Sequence, residues 1–129
     1  MRSLTQWFHA LGDDTRWRMV QLIFTEALCV CEIAEILDMP QSSVSSHLQV
    51  LRKAGLLESE RCEKWIYYRL GTAFQPVLGS LAEQFEATPG RDSVLAKDAR
   101  RAAKRLAKRK ETCCPGPKEL ANSHEKTAR

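Results

Sequence analysis

Two cysteines one residue apart, Cys29 and Cys31, stand in Leu28-Cys29-Val30-Cys31-Glu32-Ile33, and an adjacent pair, Cys113-Cys114, precedes Pro115-Gly116-Pro117. Thiolates are soft ligands and select soft, thiophilic ions. A helix N-terminus lowers a thiol's pKa and favours the thiolate, and the first pair opens a short helical pattern. On a regular helix, positions i and i+2 point to different sides. The spacing therefore predicts that the sulfurs of Cys29 and Cys31 meet at one ion only if the backbone there bends or unwinds. Adjacent cysteines before a Pro-Gly-Pro stop are free of helix geometry, so their sulfurs can converge. Cys29 and Cys31 are the first-choice metal ligands, and Cys113 and Cys114 are a second or joint choice. Cys62 stands alone and reads as an inert thiol.

About ten residues after the first pair comes Pro40-Gln41-Ser42-Ser43-Val44-Ser45-Ser46-His47-Leu48. Its early positions are small and polar, which lets a helix backbone approach the major groove of DNA. Gln41 can bond adenine edge-on, and Ser42, Ser43, Ser45 and Ser46 can contact bases or phosphates. His47, Gln49 and Arg52 extend the same exposed face. A candidate soft-ligand pair and a candidate DNA-reading helix are thus joined by one short helix.

The flanking pattern supplies the elements that position both. Leu4, Trp7, Phe8 and Leu11 fall at helical spacing and stop at Gly12. Asp13 reads as the N-cap of a helix carrying Trp17, Val20, Ile23 and Phe24. Residues 32–38 make two turns with Ile33, Ile36 and Leu37 inward, broken by Met39-Pro40. The next helix starts near Gln41, buries Val44, Leu48 and Leu51, and ends in a basic turn before Gly55. Two short helices on a three- or four-residue turn form a helix-turn-helix. Leu56-Leu57-Glu58-Ser59-Glu60 and Trp65-Ile66-Tyr67-Tyr68-Arg69-Leu70 read as a hairpin with its tip at Arg61-Cys62-Glu63-Lys64. Arg61 and Lys64 are placed for phosphate or minor-groove contact. Trp65, Tyr67 and Tyr68 read as strand and core residues. Phe74, Val77, Leu78, Leu81 and Phe85 give a further amphipathic helix, and Thr88-Pro89-Gly90 closes the domain.

The fold class read from this is mainly α with a small β-hairpin, a winged helix-turn-helix at 1–90. Residues 91–129 follow as a basic helical segment and a flexible, cysteine-containing tail. The net charge of +4 is uneven: 1–90 hold eight Lys/Arg against eleven Asp/Glu, and 91–110 hold nine against two. Residues 91–110 either touch DNA backbone or lie as a solvated basic helix on the acidic core. The chain has no run of ~18 apolar residues and no leader pattern, so the expected location is the cytoplasm. Five cysteines there are metal ligands, redox groups or core residues rather than disulfides. No Ser/His/Asp set, paired carboxylates or Gly-rich phosphate loop points to catalysis.

The run from Leu28 to Leu70 resembles the arsenic-repressor (ArsR/SmtB) family of winged-helix repressors. It does so through Leu28-Cys29-Val30-Cys31-Glu32-Ile33-Ala34, through Gln41 to Leu56, and through Trp65 to Leu70. Ala10-Leu11-Gly12-Asp13-Asp14-Thr15-Arg16 resembles the start of the family's second helix. The resemblance covers roughly residues 4–87. It implies a homodimer, joined by the helices at 4–11 and 72–87, that represses a resistance operon and leaves its operator DNA when an inducer binds. The cysteine pair resembles the family's thiol site for As(III), Sb(III) or, in some members, cadmium, lead or zinc. Members with a third thiol place it three residues after the second cysteine, where this chain has Ala34. A three-coordinate As(III) then needs another donor; Cys62, expected at the wing tip, is too distant, whereas Cys113 or Cys114 can serve. A vicinal pair alone suits methylarsenite. The family often has glycine where this chain has Glu63, which predicts a longer or looser wing loop. A thiol-based redox or persulfide sensor of the same fold is the alternative function.

Overall fold

Residues 3–86, 93–111 and 114–120 are described by a computed structural model of the chain. Helix α1 (Leu4–Leu11) starts at Ser3, whose hydroxyl accepts from the Gln6 N–H at 3.1 Å while the Gln6 side chain returns to Ser3 N. This reciprocal cap satisfies two donors that a helix start leaves open. Helix α2 (Asp14–Leu22) is capped by Asp13, as expected, through the Arg16 N–H at 3.0 Å.

Helices α3 (Val30–Leu37) and α4 (Gln41–Lys53) form the helix-turn-helix. Asp38 turns the chain in a left-handed conformation, φ 54°, and Pro40 then opens α4. Gly55, at φ 80°, ends α4 behind the basic residues Arg52 and Lys53, where a side chain would be strained. Ile33, Ile36, Val44, Leu48 and Leu51 interlock α3 and α4 in one core with Val20, Ile23, Leu56, Leu70 and Leu78. Each such side chain contributes roughly 1.5–3 kcal/mol by leaving water, which sets the angle at which α4 is presented.

The expected hairpin is one part of a three-stranded antiparallel sheet. Strands β2 (Leu57–Cys62) and β3 (Trp65–Leu70) pair as predicted, and β1 (Leu28–Cys29) adds to the far edge of β3. Tyr67 is the central residue of one rank: it pairs with Cys29 on one side and Glu60 on the other. The wing loop is also tighter than the missing glycine suggested. Cys62 opposes Trp65, leaving only Glu63-Lys64, and Glu63 takes φ 56°. Closure of the ladder outweighs the strain of about 1–2 kcal/mol for a non-glycine residue there.

A 3-10 turn (Thr72–Phe74) leads into α5 (Gln75–Glu86). The basic segment folds as α6 (Val94–Ala107), followed by a 3-10 turn (Arg109–Glu111). It does not stand apart: Ala102 and Leu106 pack on the main core, and Arg18 grips buried Asp98 through both N–H arms at 2.9 and 3.0 Å. The expected domain closure at Thr88-Pro89-Gly90 lies outside the described residues.

Candidate functional site

Cys29 ends β1 and is also the N-cap of α3, with an extended backbone at φ −93° and ψ 170°. Cys31 sits inside the first turn. The two sulfurs lie 3.2 Å apart. The expectation that they meet only through a deformed helix is thereby corrected. Cys29 is not helical, so the i, i+2 divergence of a helix does not apply to it, and no unwinding is required. The third sulfur comes from Cys114, 3.1 Å from that of Cys31 and 3.6 Å from that of Cys29. These three form a tight group of potential ligand atoms among the described residues. Cys113 lies outside them.

Cys62 corrects a second expectation. It flanks the two-residue wing turn, yet it is buried and packs with Ala27, Cys29, Tyr67 and Cys114 in a small second core. The alternation of β2 turns it inward. It nevertheless stands outside the close sulfur trio.

Beneath the sulfurs lies Glu32, fully buried. Its carboxylate accepts from the Cys29 N–H at 3.1 Å and from Nε and an η-nitrogen of Arg109, both at 2.8 Å. Arg105 adds an ion pair at 3.7 Å and also bonds Glu35. Burial alone would push the Glu32 carboxyl up, but the Arg109 hydrogen bonds, the Cys29 N–H and the two guanidinium charges hold it below the usual range. Arg105 also points an N–H at the Cys114 sulfur, 3.6 Å away. Burial, with acidic Glu32 close by, pushes the Cys29 thiol up, and burial does the same to Cys114. The expected lowering by a helix N-terminus is therefore overturned at Cys29: the loss of water outweighs the dipole.

The chain from Cys114 to Leu120 was expected to be flexible tail, and it is a packed strap. Gly116 N–H donates to the Tyr67 hydroxyl at 2.8 Å, and the N–H groups of Lys118, Glu119 and Leu120 converge on the Glu60 carboxylate at 2.6–2.8 Å. Gly116 sits at φ 90°, with the Arg109 side chain 3.1 Å from where a Cβ would be. Of the residues sequence reasoning missed, Glu32 carried a signal. A carboxylate three residues after an N-cap is the spacing of a capping box. Arg105, Arg109, Tyr67 and Glu60 carried none, because their roles arise only from distant partners.

On the other side of α3, Gln41, Ser42, Ser45, Ser46, Gln49 and Arg52 form an exposed face of α4, with Ser43 partly buried. Ser46 turns its hydroxyl back to the Ser42 carbonyl. His47 is drawn inward, its Nδ1 3.3 Å from an Arg16 nitrogen, so it is a support for α4 more than part of its outer face. At the wing, Arg61 and Lys64 are exposed, and Lys64 lies over the Trp65 ring at 4.9 Å. Leu4 and Phe8 on α1 and Val77 and Phe85 on α5 are large apolar residues left open. No helix among the described residues is long and apolar enough to cross a membrane.

The model of the family described as "bacterial regulatory protein, arsR family" matches residues 13–59. An arsenic resistance transcriptional regulator of Pseudomonas putida is 50% identical over 64 residues, 49% of this chain and 50% of that one. An arsenical resistance operon repressor of Bacillus subtilis is 36% identical over 85 residues, 65% of this chain and 79% of that one. A solved homodimeric winged helix-turn-helix DNA-binding domain from Mycobacterium bovis, a possible ArsR-family regulator, is similar at TM-score 0.59 and 25% identity. That likeness covers 65% of this chain and 78% of the other. Several of the curated relatives are matched over only about half of their length. The family model's match spans both helices of the helix-turn-helix and the cysteines at its start, and the Bacillus subtilis repressor is matched over 79% of its length: the chain belongs to the arsR family of bacterial regulatory proteins.

Proposed function

We propose that this protein is a homodimeric cytoplasmic repressor of an arsenic or antimony resistance operon, and that trivalent metalloid at Cys29, Cys31 and Cys114 releases it from operator DNA. The observation that carries the reading is the sulfur trio, with spacings of 3.1, 3.2 and 3.6 Å, at the start of the first helix of a helix-turn-helix. Thiolate bonds of about 2.3 Å place the sulfurs of a three-coordinate pyramidal centre about 3.5 Å apart, which this trio approaches. Cys114 thus takes the place of the thiol that Ala34 cannot supply.

Gln41, Ser42, Ser43, Ser45, Ser46, Gln49 and Arg52 read the major groove, and Arg61 and Lys64 hold the wing on phosphates. His47 acts through its hold on Arg16. The open apolar residues of α1 and α5 join two copies, so that two α4 helices meet successive grooves. Inducer weakens DNA binding by a coupling of about 1–3 kcal/mol. The test is titration of the full chain on its own upstream DNA with arsenite. The expected result is release at three sulfurs per arsenic and an unreleased complex for Cys114→Ser. Release by Cys29→Ser/Cys31→Ser at the parent's arsenite concentration would sink the reading.

A second reading, a redox or persulfide sensor, is favoured by the 3.1 and 3.2 Å approaches of the same sulfurs, which put a disulfide within small side-chain movements. A persulfide donor that dissociates the operator complex where arsenite does not would select it. Methylarsenite, which needs two sulfurs, would be satisfied by Cys29 and Cys31 without Cys114.

A further inference from the structure

The strap crosses the sheet along a single rank. Cys29, Tyr67 and Glu60 are paired side by side across β1, β3 and β2. Cys114 lies at the sulfur of the first, Gly116 donates to the hydroxyl of the second, and the N–H groups of Lys118, Glu119 and Leu120 close on the carboxylate of the third. A fifth hydrogen bond, Arg69 to the Leu120 carbonyl at 2.8 Å, ties the strap to β3, and Arg69 in turn holds Glu58 of β2. Two of the three residues in that rank belong to the wing strands.

We infer that Tyr67 and Glu60 are positioning residues for the third sulfur, and that through them occupancy of the thiol site and placement of the wing are one equilibrium. The inference rests on the functional reading above and adds its route. With the strap docked, a trivalent centre finds three sulfurs; with it undocked, it finds two. A ligand shifts an equilibrium only by its differential affinity for the two states, and the third sulfur supplies that difference. The docked state is then the one with the wing tied to the body of the domain, and it is the state with weaker hold on DNA. By linkage, operator DNA lowers arsenite affinity by the same factor. Gly116 is part of the device: at φ 90° a side chain is strained, and its Cβ would stand 3.1 Å from the Arg109 side chain.

Three full-length variants test this beside the parent: Tyr67→Phe, which removes only the hydroxyl; Glu60→Ala, at a partly exposed site; and Gly116→Ala, which unseats the strap from its other side. Operator affinity is measured without arsenite and at saturating arsenite, with sulfur-to-arsenic absorbance recorded alongside. The parent is expected to lose about 10- to 100-fold in operator affinity. The variants are expected to bind operator within about threefold of the parent without arsenite, to bind arsenite at higher concentration, and to lose most of the release. Amide exchange should slow over 57–70 and 114–120 when the parent binds arsenite, and over 57–70 in none of the variants. Full release in all three variants, or unchanged wing exchange in the arsenite-bound parent, overturns the inference. A parent that is itself insensitive to arsenite overturns the functional reading beneath it, so the two failures are told apart by the parent alone.

Discussion

Arg109 closes two N–H groups on the carboxylate of Glu32, 77 residues earlier in the chain, at 2.8 Å each. Its remaining reach goes to the Ala27 carbonyl at 2.9 Å, and its guanidinium carbon lies 5.4 Å from the Tyr67 ring centre. One side chain thus fastens the turn after α6 to the start of α3, where Cys29 is the N-cap and Cys31 lies in the first turn. Removing it leaves a fully buried carboxylate without its main partner, a loss of about 3–5 kcal/mol. Arg109→Met should shift the urea midpoint accordingly, and Glu32→Gln/Arg109→Met should recover part of it. Equal midpoints for the parent and Arg109→Met would show that the pair holds nothing.

Substitution of the cysteines one at a time separates ligands from packing. Cys29→Ser, Cys31→Ser and Cys114→Ser should each lower the sulfur-to-arsenic absorbance by about one sulfur's share and weaken arsenite binding by at least about tenfold, an order-of-magnitude estimate from the loss of one ligand. Cys62→Ala should leave the absorbance unchanged and cost roughly 1 kcal/mol of stability through the gap beside Tyr67. A Cys62→Ala protein with a diminished absorbance would make Cys62 a fourth ligand.

The protons on the thiols distinguish two classes of ion. Burial holds Cys29 and Cys114 protonated through neutral pH. Arsenous acid exchanges each hydroxyl for a thiolate and releases water, so no proton is lost to solution. A divalent cation must expel the protons, two from Cys29 and Cys114 alone, which is about a hundredfold in affinity per pH unit. Between pH 6 and 8, arsenite affinity should stay nearly flat while cadmium affinity climbs steeply. A parallel rise for both would contradict the buried-thiol picture. The same shifts set a sign for stability. A folded-state pKa above the unfolded one gives stability that is complete below about pH 8.5, the ordinary thiol range, and declines as pH rises past it. Denaturant midpoints from pH 7 to 10 would show that decline, and a flat series would not fit. For Glu32 the sign is opposite: its carboxyl is held low, so its contribution fades as acid protonates it.

The wing offers a fourth check. Glu63 holds φ 56°, so Glu63→Gly should stabilise the hairpin by up to about 1 kcal/mol, read from thermal unfolding. Arg61→Ala should reduce the salt slope of operator binding by about one unit, with nearly the same loss on any sequence. A sequence-selective loss would move Arg61 from phosphate to base contact.

The helix-turn-helix was legible in the chain itself because its signals are local. Apolar residues at helical spacing, Asp13 as a cap, Pro40 as a start and Gly55 as a stop each act within one or two turns. The pairing of Leu57–Cys62 with Trp65–Leu70 was equally local, since adjacent strands need only a short turn. The importance of Cys29 and Cys31 followed from residue chemistry and spacing, and the family resemblance, with Ala34 where some members have a third thiol, implied that another donor was needed. Which further sulfur stands beside that pair was decided by tertiary structure. Cys114 reaches Cys31 only because ion pairs bring α6 onto α3 and Tyr67 and Glu60 seat the strap. The burial of Cys62 and the added strand at Leu28–Cys29 were decided in the same way. Caps and helical stripes depend on neighbours a few residues away, whereas a buried ion pair or a shared cluster of sulfurs depends on partners some 80 residues apart, and no periodicity in the chain records that distance.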